Sequence, residues 1–136
     1  MTPRRILVVE DNPLNLKLVR EVLTFAGYDV IEAQSGEDGL RAAQEDPPDL
    51  VLMDLQLPGI DGTETLRRLR QGSLRRDVPV VAVTAFAMAE DKERASRAGF
   101  DGYVEKPISV RALPGQIEAF LAGASEATGK TSGRAE

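Results

Sequence analysis

Short apolar runs alternate along this chain with longer stretches whose apolar residues recur every three or four positions. The runs are Ile6–Val9, Asp29–Ala33, Leu50–Asp54, Val78–Thr84 and Gly102–Glu105. Several are apolar throughout rather than at alternate positions, the pattern of parallel strands covered on both faces. Between them the period is helical. Pro13–Ala26 places Leu14, Leu18 and Val22 on one stripe, with Val19 and Leu23 beside it, and Gly27 marks its end. That pattern, with Lys17, Arg20, Glu21 and Thr24 mainly on the other side, predicts an amphipathic helix. Ser35 is set to cap a helix running through Glu45, with Asp38 at capping-box spacing, and Pro47 and Pro48 close it. Gly62–Gln71 and Ala89–Ala98 predict two more helices. Ser109–Leu121 predicts a last one, with Leu113, Ile117 and Leu121 in register and Pro114 leaving its start open. Five strands alternating with five helices predict an α/β fold with a doubly wound parallel sheet.

The last stretch breaks this pattern. Residues 122–136, AGASEATGKTSGRAE, contain no large apolar side chain. The expected division is a folded unit over residues 1–121 and a disordered tail over residues 122–136.

Composition narrows the chemistry. The 136 residues suffice for one domain with its own core. There is neither Cys nor His, which removes disulfides, thiolate and imidazole metal sites, and the usual general base. A net charge of -5 with 4% aromatic residues argues against direct nucleic-acid binding. The apolar runs are too short for a membrane span or a signal-peptide core. A cytoplasmic protein without membrane attachment is the expectation.

One run raises a chemical question. Leu50-Val51-Leu52-Met53 ends in an acid, Asp54, before the turn signal Pro58-Gly59. Ligands of doubly wound sheets bind beyond the carboxyl ends of the strands. At those ends stand Glu10-Asp11, Asp54, Thr84 and Glu105-Lys106-Pro107. Crowded carboxylates invite a cation, and hard oxygen ligands favour Mg²⁺ over Zn²⁺. An aspartate can attack phosphorus to form an acyl phosphate. Lys106 can supply positive charge and Thr84 a hydroxyl to the phosphoryl oxygens. Taken singly, each residue has a plain reading: Asp54 a turn residue, Asp11 or Asn12 a helix cap, Thr84 a strand residue, Lys106 a surface lysine. Their shared position at one rim carries the functional reading.

The segments LVVEDNPLN, DLVLMDLQLPGIDG, VVAVTA and GYVEKP, in that order, resemble the signature segments of the response-regulator receiver domain of two-component signalling. The resemblance covers roughly residues 4 to 121 and is similar to single-domain, chemotaxis-regulator-like receivers and to receivers within hybrid histidine kinases. It implies a flavodoxin-like strand order 2-1-3-4-5 with five helices. It implies Asp54 as phosphoacceptor, and Glu10, Asp11, Asp54 and the Gln56 backbone carbonyl as Mg²⁺ ligands. Thr84 is the implied switch hydroxyl, Tyr103 the switch aromatic that turns inward, and Lys106 the phosphoryl contact, with a cis bond to Pro107. Glu10 replaces the Asp of many relatives, so a water-mediated reach to metal is expected. The implied protein is a phosphoacceptor regulator rather than an enzyme, a monomer or weak dimer. Its partners are a histidine kinase or histidine phosphotransfer protein and a downstream protein target, met on the strand-four helix, strand five and last helix.

Other readings remain at this point. The chain is either a single-domain regulator acting by docking or a receiver fragment of a hybrid kinase or longer regulator. A Mg²⁺-dependent phosphohydrolase with Asp54 as nucleophile would commonly have a second acid two residues on, where this chain has Gln56. A flavin carrier would need a phosphate loop and aromatics that are lacking, and a pure interaction module has no use for the intact constellation. The basic cluster LRRLRQGSLRRD, from Leu66 to Asp77, is expected to be a solvated face rather than a docking site.

Overall fold

The structure, a computed structural model, describes residues 3–57, 59–72, 74–75, 77–85 and 89–129, with side chains at all of these except 89–91 and 124–129. Pro58 of the expected turn, Ser73 and Arg76 of the basic cluster, and residues 130–136 of the expected tail lie outside them.

The chain alternates β1 (Arg5–Val9), α1 (Pro13–Phe25), β2 (Asp29–Ala33), α2 (Gly36–Glu45), β3 (Leu50–Asp54), α3 (Gly62–Gln71), β4 (Val80–Thr84), α4 (Ala89–Ala98), β5 (Gly102–Glu105) and α5 (Leu113–Gly129). The strands form one parallel sheet in the order β2-β1-β3-β4-β5. This is the flavodoxin-like order 2-1-3-4-5 implied by the family resemblance. The reversal of order between β1 and β3 opens a crevice at the carboxyl ends.

Apolar strands follow from the two-sided cover. Successive side chains point to opposite faces. Leu7, Val9, Val51, Met53, Val80 and Ala82 join the core under α2, α3 and α4, which adds Ala43, Leu66, Leu69 and Ala95. Ile6, Val8, Leu50, Leu52, Val81 and Val83 join the core under α1 and α5, which adds Leu16, Val19, Leu23, Leu113, Ile117 and Leu121. Neither face can be polar, and burial of each such side chain contributes about 1.5–3 kcal/mol against the entropy of ordering it.

Helix ends obey local chemistry. Asn12 accepts hydrogen bonds from the backbone N–H groups of Leu14 and Asn15, Ser35 from Asp38, and Asp61 from Glu64. Gly27 and Gly99, after α1 and α4, take positive φ.

The structure corrects three expectations. In α1, Val19 and Leu23 are buried on the expected apolar side, but they are joined by Leu16, while Leu14 is 78% exposed and Leu18 is 36% exposed. Both stripes have helical spacing. The packing of the helix against the sheet and α5, a tertiary matter, selects between them. β4 begins at Val80 rather than Val78 because Pro79 has no N–H to donate to a ladder. α5 spans Leu113–Gly129 rather than Ser109–Leu121. Its start puts Pro114 in the first turn, where the missing N–H breaks no helical bond. It also carries helix through residues 122–129, previously assigned to the tail, where Ala124, Glu126 and Ala127 favour helix.

Candidate functional site

The buried polar or charged side chains among the described residues are Glu10, Asp54, Thr65 and Thr84. Thr65 is accounted for locally, because its hydroxyl donates to the Asp61 carbonyl at 2.7 Å. The other three stand at the carboxyl ends of β1, β3 and β4. Burial of acids is costly without compensation, so each must find partners there.

Lys106, directly after β5, supplies one. Its Nζ lies 2.9 Å from Asp54 Oδ2 and 3.7 Å from Glu10 Oε1. The peptide N–H of Gln56 donates to the other Asp54 oxygen at 3.0 Å, and that of Asn12 donates to Glu10 Oε2 at 3.2 Å. The backbone of Lys106 is tied to the same rim, since its N–H donates to the Thr84 carbonyl at 2.8 Å. The Lys106–Pro107 bond is cis, as the resemblance implies.

The charges do not balance. Glu10, Asp11 and Asp54 bring carboxylate oxygens within 4.8 Å of one another. Lys106 offers one ammonium against them. Burial, then the charge of Asp54, push the Glu10 carboxyl above its ordinary pKa, and the Lys106 ammonium offsets only part of this. Burial alone would lower the Lys106 pKa, but its hydrogen bond to Asp54 and the charges of Asp54 and Glu10 together hold it above the usual lysine value. An excess of negative charge on hard oxygen donors, with Asp11 exposed at the mouth, fits an oxygen-loving divalent cation.

Thr84 and Gln56 border a cleft of about 160 Å³ beside this cluster, closed by Leu55, Thr63, Arg94, Ala95 and Phe100. Thr84 pairs with Glu105, and Ala82 with Tyr103, across the β4–β5 ladder. Alternation along β4 puts Thr84 and Ala82 on one face, so Tyr103 shares the face of Thr84, one step back from the rim. Tyr103 is half-buried and packs against the core under α4.

The fold therefore gathers Glu10, Asp11, Asp54 and Lys106 at one point, with Thr84 on an adjoining strand end and Tyr103 behind it. The Gln56 side chain is exposed, and its described contact is the N–H bond to Asp54. The basic cluster is a paired face: Arg67 and Arg68 meet Glu64, Arg70 meets Asp101, and Arg75 meets Asp49 and Asp77.

One positioning residue escaped sequence reasoning. At Gly62 a Cβ would lie 2.7 Å from the Asp54 carbonyl oxygen and 3.0 Å from Leu55 Cα. The start of α3 is thereby pressed against the backbone that carries Asp54. An Asp-Gly pair opening a helix was the available signal, but it equally marks an ordinary turn.

Comparison with known proteins agrees with this geometry. Residues 6–118 match the family model of the response regulator receiver domain. A polar-differentiation response regulator, DivK, of Brucella anthropi is 43% identical over 122 residues, which is 90% of this chain and 99% of that protein. Among solved structures, a CheY-like receiver domain protein from Methanospirillum hungatei JF-1 superposes with a TM-score of 0.83 at 31% identity, covering 92% of this chain and 98% of that one. The receiver domain of a sensor histidine kinase from Pseudomonas aeruginosa, with a magnesium ion coordinated in its active-site cleft, has a TM-score of 0.80 at 33% identity and covers 89% and 99%.

Proposed function

The chain belongs to the response regulator receiver domain family, and from that premise we propose that Asp54 is the residue that carries its phosphoryl group. The protein is a phosphoacceptor switch of two-component signalling. The observation that carries the assignment to Asp54 is its buried carboxylate, placed among two further acids and held by Lys106 at 2.9 Å.

Each residue then has a task. The Gln56 N–H and Lys106 fix the Asp54 carboxylate from two sides, which orients an oxygen for attack on phosphorus. Attack forms the bond from that oxygen to phosphorus, and the bond to the donor's leaving group breaks with its electron pair. Lys106, already at the site, stabilises the charge delivered there. Glu10, Asp11 and Asp54, with the backbone carbonyl of Gln56, would hold Mg²⁺. That ion would neutralise negative charge on the phosphoryl oxygens. Thr84 donates its hydroxyl to a phosphoryl oxygen, and Tyr103 follows the displacement of Thr84. The product adds roughly -1.5 to -2 charge units at Asp54 if it behaves as other protein phosphates do. That charge biases a two-state surface made by α4, β5 and α5.

The donor is a histidine kinase or histidine phosphotransfer protein. Exposed Leu14 and Leu18 offer apolar surface on the helix that leaves the acidic rim, suited to such a partner. The receiver of downstream contact is a protein target on the α4, β5 and α5 side. No helix among the described residues is long and apolar enough to cross a membrane, and we place the protein in the cytoplasm. We assign the receiver unit to residues 1–121, since Leu121 is, among the residues with described side chains, the last one buried in the core beneath α1 and α5.

Incubation with a small acyl phosphate and Mg²⁺, read by intact mass, tests the assignment. Wild type should gain one phosphoryl group and lose it slowly. Asp54→Asn should gain none. Equal incorporation in the variant would remove Asp54 from its role, and steady turnover of a phosphomonoester would favour hydrolase chemistry instead.

A further inference from the structure

Tyr103 has a neighbour that its proposed role does not use. Lys92 stands on α4 with its Nζ 4.8 Å from the centroid of the Tyr103 ring. That is inside the range of about 6 Å over which an ammonium is attracted to the face of an aromatic ring. The Tyr103 hydroxyl, and beyond it the Glu105 carboxylate, hold the Lys92 ammonium above its ordinary pKa. Lys92 is exposed, so its position owes little to packing.

Tyr103 also borders an open groove of about 500 Å³ between β5 and α5, with Gln116 and Phe120 among its lining. Packing from α5 therefore does not enclose the ring. The cation above it comes from α4, which begins at Ala89, a short connection after Thr84.

We propose that Lys92 is a positioning residue for the switch: its ammonium restrains Tyr103 in the place the ring takes when Asp54 carries no phosphoryl group. This rests on the reading of Asp54, Thr84 and Tyr103 given above. When the ring turns, the contact breaks, so Lys92 adds to the cost of the phosphorylated arrangement. A switch of this kind is tuned by any interaction that differs between its two states.

The consequence has a sign that separates it from simple electrostatics. Removing a cation from an acidic protein weakens the binding of an anion to it. Releasing a restraint on the unphosphorylated arrangement strengthens the binding of a phosphoryl mimic. Beryllium fluoride with Mg²⁺ is such a mimic, and calorimetric titration gives its apparent affinity.

Lys92→Met keeps the length of the stem and removes the charge. It should raise the apparent affinity roughly two- to fivefold, the range a solvent-exposed cation–π contact supplies. Lys92→Arg, which retains a cation able to lie over the ring, should stay near wild type. In a Tyr103→Leu background, Lys92→Met should have no effect, because the contact is already gone. An affinity that is unchanged or lowered by Lys92→Met, or a gain that persists with Tyr103→Leu, overturns the inference. The underlying switch is tested separately. The chain has two tyrosines and no tryptophan, so Tyr28→Phe leaves Tyr103 as the sole tyrosine emitter. If its fluorescence ignores beryllium fluoride while Lys92 is intact, the switch reading fails. If it responds but Lys92→Met changes nothing, the Lys92 role fails alone.

Discussion

Glu10 is held at a cost. The folded protein raises its carboxyl pKa above the ordinary value, through burial first and then the charge of Asp54. Between the unfolded value and the raised folded one, the native state binds the proton that the unfolded chain has released. Stability of the metal-free protein therefore falls as pH rises through that window and levels off above it. Glu10→Gln should remove this fall and leave the metal-free variant more stable at neutral pH by on the order of 1 kcal/mol, the usual size of a single-residue effect. Thermal melts at several pH values with a chelator present check the sign. If Glu10 holds Mg²⁺ as proposed, saturating Mg²⁺ should reverse the ranking, since the variant lacks that carboxylate while wild type is stabilised by the ion it binds. Lys106 acts in the opposite sense. Its raised pKa is a stabilising contribution that is complete below the ordinary lysine value and disappears as pH climbs through the folded one. The site trades stability for a readiness to take positive charge, and the buried acids that mark it were legible as strand-end residues in the sequence. Lys92 was not, because an exposed lysine on an amphipathic helix has no distinguishing pattern until a ring is found beneath it.

At the level of elements, α3 sets the placement of Asp54, the proposed phosphoacceptor. Gly62 lets the helix start lie against the Asp54 and Leu55 backbone, and neither contacting backbone atom can swing aside. Gly62→Ala should force α3 and the loop bearing Gln56 apart, destabilise the protein by about 1–3 kcal/mol, and slow phosphoryl incorporation. Gly115→Ala in α5 is the control. A Cβ there meets nothing within 4 Å, so it should stabilise by about 0.5–1 kcal/mol through helix propensity. Urea midpoints measure both. The elements themselves were readable because short runs such as Leu50–Met53 are apolar on both faces, which no surface helix can be. The buried side of α1 was legible only in part, since Leu14, Leu18 and Val22 also repeat at helical spacing beside the stripe Leu16, Val19 and Leu23 that the core covers. The start of α5 depended on whether Pro114 would be taken into the first turn, and the lack of large apolar side chains beyond Leu121 left its end undetermined by pattern.

For the whole molecule, the sheet divides one chain into two cores, and α5 closes the second with Leu113, Ile117 and Leu121. Ending the chain after Gly123 should therefore alter stability by no more than about 0.5 kcal/mol and leave acceptance of a phosphoryl group intact. A chain ended before Ile117 should not fold cooperatively, as circular dichroism during heating would show. The same architecture has a bearing on synthesis. The acids arrive on β1 and β3, but the ammonium that steadies them follows β5, whose place in the sheet requires β4 beside it. No hairpin or single βα unit contains the set. A chain still emerging from the ribosome, even with three strands in register, has the acids without their lysine: the charged rim is complete only once the final strand has arrived.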